Sequence, residues 1–425
     1  MSFIEELTWR GMIHDMMPGV KGELEKGMTS GYIGFDPTAD SLHIGSLVQI
    51  MILVHFQKAG HKPIALVGGA TGMVGDPSGK SQERNLLSKA DLDANLAGVK
   101  KQLEQFLDFN CGQNSAELVN NYDWFKEMNF LDFIRDVGKH ITINYMLAKD
   151  SVKSRMDSGM SFTEFTYQLV QGYDFYWLYK NKNCKLQLGG SDQWGNIVAG
   201  TELIRRKDSG EAFAITTPLI QKADGTKFGK TESGNVWLDP ERTSPYKFYQ
   251  YWMNSSDIDA GKYIKIFTLM SENQVNELIA VHQENPSLRL LQKELAKQVT
   301  ELVHGKSNFE AAKNASEILF QKGVAAIEGL KNMNENLFLE VFEGVPQAEV
   351  SLDLTGSLSI IDALSSKSNF LKSNGEARRS LKENSISVNK EKVNENKIIN
   401  STDLIGGKYV LLQKGKRNYF ILKVV

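Results

Sequence analysis

The amino-acid sequence predicts an α/β protein whose main feature is a doubly wound parallel sheet. Over residues 1–220, short apolar segments that end in glycine alternate with longer segments of helical spacing. This alternation is typical of parallel strands connected by helices. Residues 240–320 have helical periodicity without clear strands, and the chain after Gly356 mixes short helical patterns with strand-like ones. We therefore expect a Rossmann-like domain, then an α-helical domain, then a small α+β domain.

The first predicted strand and the helix after it lie within residues 30–46. After an amphipathic helix within residues 1–29, Ser30–Phe35 is predicted as a short buried strand with two glycines, which suggests that a ligand approaches its backbone closely. Asp36-Pro37 ends this strand because proline lacks a backbone donor, and apolar residues at helical spacing follow from Gly45. His43 therefore precedes a helix N-terminus, where free N–H groups suit a phosphate.

The other elements of the first domain follow in order. A second buried strand is predicted at Pro63–Gly69, and a glycine-rich loop follows it. This loop ends in Gly79-Lys80-Ser81, but the phosphate-binding GxxxxGK pattern would need a glycine at position 74, which is Val74. The later segments are predicted as a helix at 91–109, a strand at 116–121, helices within 124–160, a helix at 162–179, a strand at 185–190 and a helix at 191–206 capped by Ser191 or Asp192.

These patterns divide the chain into four parts. Residues 1–220 form the Rossmann-like domain, and residues 221–320 carry a basic loop and the helical domain. Residues 321–355 contain Gly and Asn, lack regular periodicity and are predicted as a linker. Residues 356–425 form the small domain, with two short helices and with strands predicted at 385–388, 409–412 and 419–422.

Charge is distributed unevenly along the chain. The formal net charge is −2, yet residues 356–425 contain thirteen Lys and Arg against six Asp and Glu, a net charge of +7 that leaves −9 for residues 1–355. A small basic domain beside an acidic body indicates binding to a polyanion. A solvated charged surface would have the same composition, so both interpretations stay open on composition alone.

Composition disfavours several classes of protein. The two cysteines, Cys111 and Cys184, are far apart in sequence, so neither a disulfide framework nor a zinc knuckle is expected. The seven histidines include no HExxH pair, and no metal site is predicted. The longest apolar run is too short to span a membrane, and the N-terminal residues lack the features of a signal peptide. We expect a cytoplasmic protein without a membrane partner.

Four motifs resemble those of the tyrosyl-tRNA synthetase family, a branch of the class I aminoacyl-tRNA synthetases. His43-Ile44-Gly45-Ser46 resembles the HIGH signature of class I, although Ser46 departs from the usual final His or Asn, and Tyr32–Leu42 resembles the tyrosyl form. Residues 167–174, 189–196 and 227–231 resemble the family's tyrosine-binding helix, its ribose-contacting turn and its variant of the mobile KMSKS loop. The last domain is similar to the RNA-binding fold first named for ribosomal protein S-four. The resemblance covers nearly the whole chain and matches the bacterial tyrosyl branch.

This resemblance implies tyrosine–tRNA ligase activity. L-tyrosine and ATP would form tyrosyl-adenylate and pyrophosphate, and tyrosine would then pass to the 3′-terminal adenosine of tRNA(Tyr). ATP would bring its own Mg²⁺, and no tightly bound cofactor is implied. Because the attacking carboxylate is already ionised, catalysis would rest on positioning and on stabilising charge in the transition state. The residues assigned to catalysis by resemblance are Thr38, His43, Lys227, Lys230, Lys80 and Arg84, and those assigned to ATP are Gly34, His43, Gly45, Gly190, Asp192 and Lys230.

The resemblance also assigns residues to tyrosine. Tyr32 and Asp174 would bond the substrate hydroxyl, and the rest of the tyrosine site would be Asp36, Asp76, Tyr167, Gln171 and Gln193. From periodicity alone, the two tyrosines are more typical of core aromatics. The positive charge of the last domain predicts contacts with RNA phosphate through Arg378, Arg379, Lys382, Lys414, Lys416 and Arg417.

Two other functions stay open at this point. Tryptophanyl-tRNA synthetase shares the implied fold, although the Tyr32/Asp174 pair and the basic last domain count against it. A catalytically silent RNA-binding protein is disfavoured by the presence of His43, Lys227 and Lys230. Family analogy implies a homodimer, with the helices within residues 124–160 as its interface.

Overall fold

A computed structural model describes residues 1–78, 88–149, 152–153, 156, 159–231, 234–318, 324–351, 356–415 and 418–425. The chain divides into two compact units, the first made of Met1–Thr243 with Ser255–Leu295 and the second of Ser244–Asn254 with Ala296–Val425. Four residues with a predicted role lie outside the described residues, namely Lys80, Arg84, Lys416 and Arg417.

The first unit is built on a six-stranded sheet. Its strands are β1 (Asp15–Met16), β2 (Ser30–Phe35), β3 (Lys62–Val67), β4 (Glu117–Asn120), β5 (Cys184–Gly190) and β6 (Phe213–Thr217). They lie in the order β1-β6-β5-β2-β3-β4, and every neighbouring pair is parallel except the short edge pair β1–β6. The chain order reverses between β2 and β5, which makes this the topological switch point of a doubly wound sheet. The predicted fold class is confirmed.

The helices of the first unit follow the predicted alternation with the strands. They are Phe3–Trp9, Val20–Glu25, Ile44–Lys58, Thr71–Val74, Lys89–Phe106, Tyr122–Phe125, Phe130–Asp136, Ile143–Leu147, Phe162–Lys182, Trp194–Asp208, Asp257–Phe267 and Glu272–Glu284. The helix Ile44–Lys58 is buried along most of its length, with Leu47, Ile50 and Met51 fully excluded from solvent. Its high apolar content is therefore explained by burial on several faces rather than by one amphipathic stripe.

One helix start differs from the prediction. The segment after β5 first forms a 3₁₀ turn at Ser191–Gln193, and the α-helix begins only at Trp194. Gln193 occupies the cap position without a side-chain hydrogen bond to the helix. The predicted caps, Ser191 and Asp192, are therefore wrong, because both lie inside the preceding turn.

The structure of the second unit corrects the predicted linker. Residues 321–355 were predicted to be irregular, but their described part contains the helices Val324–Lys331 and Glu335–Val341 and the strand β9 (Gln347–Val350). Asn334 caps the second helix through the backbone N–H of Leu337, and Phe338 of that helix is fully buried. Regular structure forms here because the segment has a helix cap and apolar residues that reach a core.

The C-terminal part of the second unit is a small α+β fold. Strand β9, β11 (Ile386–Val388), β12 (Glu391–Lys392), β14 (Tyr409–Lys414) and β15 (Asn418–Val424) form a sheet in the order β12-β11-β14-β15-β9. Strands β10 (Ser357–Ser359) and β13 (Ile398–Asn400) pair separately, and the helices Ile360–Leu364 and Asn374–Lys382 share their core. Because β9 pairs in parallel with β15, this sheet begins before residue 356. The likeness to the S-four fold stays a prediction.

The remaining elements complete the chain. Strands β7 (Lys230–Thr231) and β8 (Gly234–Asn235) pair antiparallel within the first unit. The remaining long helices are Pro245–Met253, Leu290–His304 and Lys306–Ile318, in agreement with the predicted helical character of residues 240–320. Among the described residues, no helix is both long and apolar enough to cross a membrane.

Candidate active site

A cavity of about 270 Å³ opens at the carboxyl ends of β2 and β5. This is the switch point of the sheet, where ligands of open α/β folds bind. Many of the predicted site residues line the cavity, namely Tyr32, Gly34, Asp36, Thr38, Asp76, Tyr167, Gln171, Asp174, Gly190, Asp192 and Gln193. Ser46, the unusual last residue of the HIGH-type motif, lines it as well. The structure thus brings all seven predicted tyrosine-binding residues to one cavity.

One end of the cavity contains a buried carboxylate beside a buried hydroxyl. Asp174 is only 2% exposed, and its two oxygens accept hydrogen bonds from Trp124 Nε1 at 2.9 Å and from Asn121 Nδ2 at 3.0 Å. Burial raises the pKa of Asp174 to about 8, and these two donors lower it in part. Tyr32 is 1% exposed, and its hydroxyl has no hydrogen-bond partner among the described residues. Burial and the charge of Asp174 raise the pKa of Tyr32.

A chain of hydrogen bonds connects this end of the cavity to a second carboxylate. Asn121 also donates to Thr71 Oγ1 at 3.1 Å, and Thr71 donates to Asp36 Oδ1 at 2.7 Å. The hydroxyl of Tyr167 donates to Asp36 Oδ2 at 2.9 Å. Gly68 lies beside these hydrogen bonds. A glycine is needed at this position because a Cβ there would lie 2.2 Å from Asp36 Oδ1. Asp36 is therefore fixed in place by two donors from different elements.

A third carboxylate lies on another wall of the cavity. Asp76 accepts hydrogen bonds from Gln193 Nε2 at 2.7 Å, from Asn196 Nδ2 at 3.3 Å and from the backbone N–H of Ser78 at 2.9 Å. Asp192 lies nearby, and burial together with the charge of Asp76 raises its pKa. Four carboxylates, those of Asp36, Asp76, Asp174 and Asp192, thus line one cavity, which favours a cationic group of a ligand.

His43 caps the helix Ile44–Lys58, as its predicted position just before the helix requires. Its Nδ1 accepts the backbone N–H of Gly45 at 3.0 Å, so the proton of the neutral imidazole is on Nε2. A side chain at Gly45 would meet the His43 ring, since a Cβ would lie 2.7 Å from Cε1. The ring of Trp237 also contacts the imidazole, with 6.1 Å between the ring centres.

The basic loop, residues 227–231, contacts the first residues of the helix Ile44–Lys58. Gly229 has a positive φ of 82°, and a Cβ on it would lie 3.2 Å from Ile44 Cγ1. Lys227 and Lys230, on either side of this glycine, are exposed to solvent. His43, Gly45 and Lys230, which were assigned to ATP, do not line the cavity itself. They lie on the segments that meet at the helix N-terminus.

The predicted RNA-binding residues are partly placed. Arg378, Arg379 and Lys382 are exposed on the helix Asn374–Lys382. Lys414 is half-buried and forms an ion pair with Glu376 at 2.9 Å, so its charge is already partly compensated. Among the described residues, no group of three or more His, Cys, Asp or Glu side chains could hold a metal ion.

Sequence reasoning missed four residues of this site. Thr71, Asn121 and Trp124 take part in the hydrogen bonds that hold Asp36 and Asp174. Gln187 lies opposite Tyr32 in the β2–β5 register, is 2% exposed and has an Oε1 atom without a hydrogen-bond partner among the described residues. A polar residue within an apolar strand, as in Leu186-Gln187-Leu188, was the signal that could have indicated it.

Comparison with known proteins agrees with this geometry. A family model described as class I tRNA synthetases (W and Y) matches residues 25–321, and one for the C-terminal domain of tyrosine–tRNA ligases matches residues 338–422. Curated relatives named tyrosine–tRNA ligase include those of Flavobacterium johnsoniae, 61% identical over 100% of both chains, and of Bacteroides fragilis, 58% identical over 99% of both.

Solved structures resemble the chain over about three quarters of its length. A C-terminally truncated mitochondrial tyrosyl-tRNA synthetase from Aspergillus nidulans is 33% identical, covers 73% of this chain and 92% of its own, and has a TM-score of 0.66. A tryptophanyl-tRNA synthetase from Encephalitozoon cuniculi shares the fold at 13% identity, with a TM-score of 0.52 over 72% of this chain and 86% of its own. The relatives that match over the full length of the chain are named tyrosine–tRNA ligase, and this match distinguishes the tyrosyl branch from the tryptophanyl branch. The chain therefore belongs to the tyrosine–tRNA ligase family of class I tRNA synthetases.

Proposed function

We propose that the cavity at the β2–β5 switch point is where the chain activates L-tyrosine with ATP, before transferring it to the 3′-terminal adenosine of tRNA(Tyr). The observation that carries this proposal is the pair formed by the Tyr32 hydroxyl and the Asp174 carboxylate. Both groups are buried, and the hydroxyl lacks a partner among the described residues. An unsatisfied polar group in such a place is costly unless a ligand completes it.

The phenol of the substrate fits this pair. Its oxygen would accept a hydrogen bond from Tyr32, and its O–H would donate to Asp174. Since Trp124 and Asn121 already hold the carboxylate, little ordering is needed when the substrate binds. Tryptophan and phenylalanine have no phenol hydroxyl, so they would leave the Tyr32 hydroxyl without a partner and would donate no hydrogen bond from that position to Asp174.

The ammonium of the substrate would bind at the other carboxylates. Asp76, Tyr167 and Gln171 offer oxygen acceptors along the cavity wall, and Asp36 and Gln193 hold these acceptors in position. This arrangement directs the substrate carboxylate away from the pair at the hydroxyl end.

The nucleotide would lie across the helix N-terminus. Gly34, Gly45 and Gly190 would allow its close approach, Asp192 would hold the ribose, and Thr38 and His43 Nε2 would donate to phosphate oxygens. The tyrosine carboxylate attacks the α-phosphorus, the new bond joins its oxygen to phosphorus, and pyrophosphate leaves with the Mg²⁺ that ATP brings. No general base is required. Lys227, Lys230, Lys80 and Arg84 would stabilise the charge that develops on the phosphates.

Pyrophosphate exchange into ATP tests this function directly. The full chain is assayed with tyrosine, with tryptophan and without an amino acid. We expect exchange that depends on tyrosine alone. Exchange that depends on tryptophan would indicate specificity for tryptophan. No exchange with either amino acid would indicate a catalytically silent protein. Either result would overturn the proposal.

The basic last domain is proposed to bind phosphates of tRNA(Tyr). Reversing the charge of Arg378 and Arg379 (Arg378→Glu with Arg379→Glu) should leave tyrosine-dependent exchange unchanged. It should weaken tRNA charging and reduce the slope of log K against log salt by about 1 for each phosphate that the variant no longer binds. This change is preferable to removing residues 356–425, because such a truncation would leave β9 without its partner β15.

A matched control separates a local interaction from net charge. Lys21→Glu with Lys58→Glu changes the net charge equally on two exposed lysines of the first unit. This control should retain both the charging rate and the salt slope. If the control and the arginine variant weaken charging equally, the proposed role of the helix Asn374–Lys382 is wrong.

We also propose a cytoplasmic homodimer. Exposed apolar side chains cluster in sequence between residues 130 and 162, where Phe130, Leu131, Ile143 and Phe162 are each more than half exposed. A second copy of the chain would cover them. Sedimentation equilibrium of the full chain decides this, and a single species of monomer mass at micromolar concentration would contradict it.

A further inference from the structure

We propose that Phe228 is a positioning residue, whose ring is seated on two aromatic side chains and so holds Lys227 and Lys230 at the nucleotide. The two side chains are Tyr263 and Phe267, here called the aromatic shelf. The ring of Phe228 stacks on Phe267 at 5.3 Å and 13°, and it meets Tyr263 at 5.0 Å and 59°. The inference rests on the proposed function, in which both lysines act on ATP.

The shelf belongs to one helix that also holds the base of the loop. Tyr263 and Phe267 are four residues apart on Asp257–Phe267 and lie on the same helix face. On this helix, Asp259 Oδ1 accepts the backbone N–H of Ala223 at 2.8 Å. The turn after Ala223 is closed by Thr226, whose N–H donates to Asp224 at 2.8 Å. The loop is therefore attached to this helix at its base and at Phe228.

Arg10 in turn fixes the end of this helix. The guanidinium is only 3% exposed and donates to the carbonyls of Thr268 at 2.9 Å, Met270 at 2.8 Å and Lys265. Its charge is paired with Glu6 at 2.8 Å. A cation at the last carbonyls of a helix stabilises its C-terminus. The helix that carries the shelf is thus anchored through Arg10 to the end of the helix Phe3–Trp9, outside the loop.

The far side of the loop is fixed next to His43. The carbonyl of Gly229 accepts the backbone N–H of Val236 at 3.0 Å, and Gly229 lies against Ile44. The ring of Phe228 is half-buried, whereas Lys227 and Lys230 are exposed, so the ring faces the shelf and the two charges face solvent. Seating the ring therefore fixes the backbone from which the Lys227 and Lys230 side chains extend, close to the N-terminus of the helix Ile44–Lys58.

Truncating the ring tests this inference. Phe228→Ala should lower kcat of tyrosine-dependent exchange by about 10²-fold, because misplacing catalytic groups by about 1 Å has an effect of this size. The KM for tyrosine should not change, since the shelf does not line the cavity. Phe228→Tyr keeps the ring and should restore kcat. Leu269→Ala removes an exposed apolar side chain just after the same helix and serves as the matched control.

A second measurement does not depend on activity. Trypsin cleaves after lysine only in an accessible, flexible segment, so cleavage after Lys227 and Lys230, followed by mass spectrometry, reports the seating of the ring. Cleavage should be faster in Phe228→Ala and unchanged in Phe228→Tyr and Leu269→Ala. Phe267→Leu keeps a large apolar side chain on the helix but removes the stacked ring, and it should reproduce the faster cleavage.

The two measurements separate the possible failures. If the wild-type chain shows no tyrosine-dependent exchange, the proposed function fails, while the cleavage rates still test the shelf. If exchange is normal and Phe228→Ala changes neither kcat nor cleavage, only the shelf is rejected. A fall in kcat together with a rise in the KM for tyrosine and a lower Tm would also overturn it, since that pattern indicates a general structural role.

Discussion

Asp174→Ala is expected to lower kcat/KM for tyrosine by about 10³-fold. The buried substrate hydroxyl would lose a hydrogen bond to a charged group and remain unsatisfied, two effects that together amount to about 4 kcal/mol. Activity with phenylalanine, which has no hydroxyl to lose, should change much less. The preference for tyrosine over phenylalanine should therefore collapse in the variant. Exchange kinetics with both amino acids measure this ratio.

A control and a pH profile sharpen this test. Asp93→Ala removes an exposed carboxylate from the helix Lys89–Phe106 and should leave the ratio unchanged. Because burial raises the pKa of Asp174 to about 8, lowering the pH through this range protonates the carboxyl, which then loses its charge and accepts a hydrogen bond more weakly. In the wild-type chain, kcat/KM for tyrosine should rise with pH and level off above about 8. A variant Asp174→Ala that retains the wild-type ratio would remove this carboxylate from substrate recognition.

His43→Ala is expected to lower kcat of exchange by about 10²- to 10³-fold, the usual effect of losing one donor to a developing charge. The KM for tyrosine should be unchanged, because His43 does not line the cavity. The same substitution removes the imidazole that caps the helix by accepting the N–H of Gly45. It should therefore lower the free energy of unfolding by about 1 kcal/mol. Exchange kinetics and thermal unfolding of one preparation measure both effects.

His43→Asn separates the two roles of this residue. Asparagine caps helices well, so its side-chain oxygen can accept the N–H of Gly45 and preserve stability. It is shorter than histidine and places no donor where Nε2 lies, so the loss of kcat should persist. If His43→Asn regains full exchange activity along with stability, His43 acts only as a cap.

The sequence predicted four of the six strands of the first sheet, β2 to β5, but neither the edge strand β1 nor β6. Ser30–Phe35 and Cys184–Gly190 are short apolar runs closed by turn residues, a pattern that is typical of buried strands. The alternation of strands and helices predicted parallel pairing, whereas the order of the strands, which reverses between β2 and β5, came from the structure. The seven residues assigned to tyrosine by resemblance all line the cavity at the β2–β5 switch point.

Tertiary contacts explain what the sequence did not predict. Asn121 and Trp124 hold Asp174 from about fifty positions away, and no local pattern connects them to it. The regular structure of residues 335–350 depends on partners such as β15, which follows some seventy positions later. The start of the helix at Trp194 was missed because a 3₁₀ turn uses the same capping residues that begin an α-helix. The sequence around Phe228 has no periodicity that would predict its contacts with Tyr263 and Phe267.

A crystal structure of the full chain with L-tyrosine bound tests the central claim most directly. The claim is that the cavity binds the phenol hydroxyl of L-tyrosine at one end and its ammonium group at the other. We expect the substrate hydroxyl within hydrogen-bond distance of Tyr32 and Asp174, the ammonium beside Asp76 and Tyr167, and the carboxylate facing the N-terminus of the helix Ile44–Lys58. Tyrosine bound outside this cavity, or in the opposite orientation within it, would contradict the account.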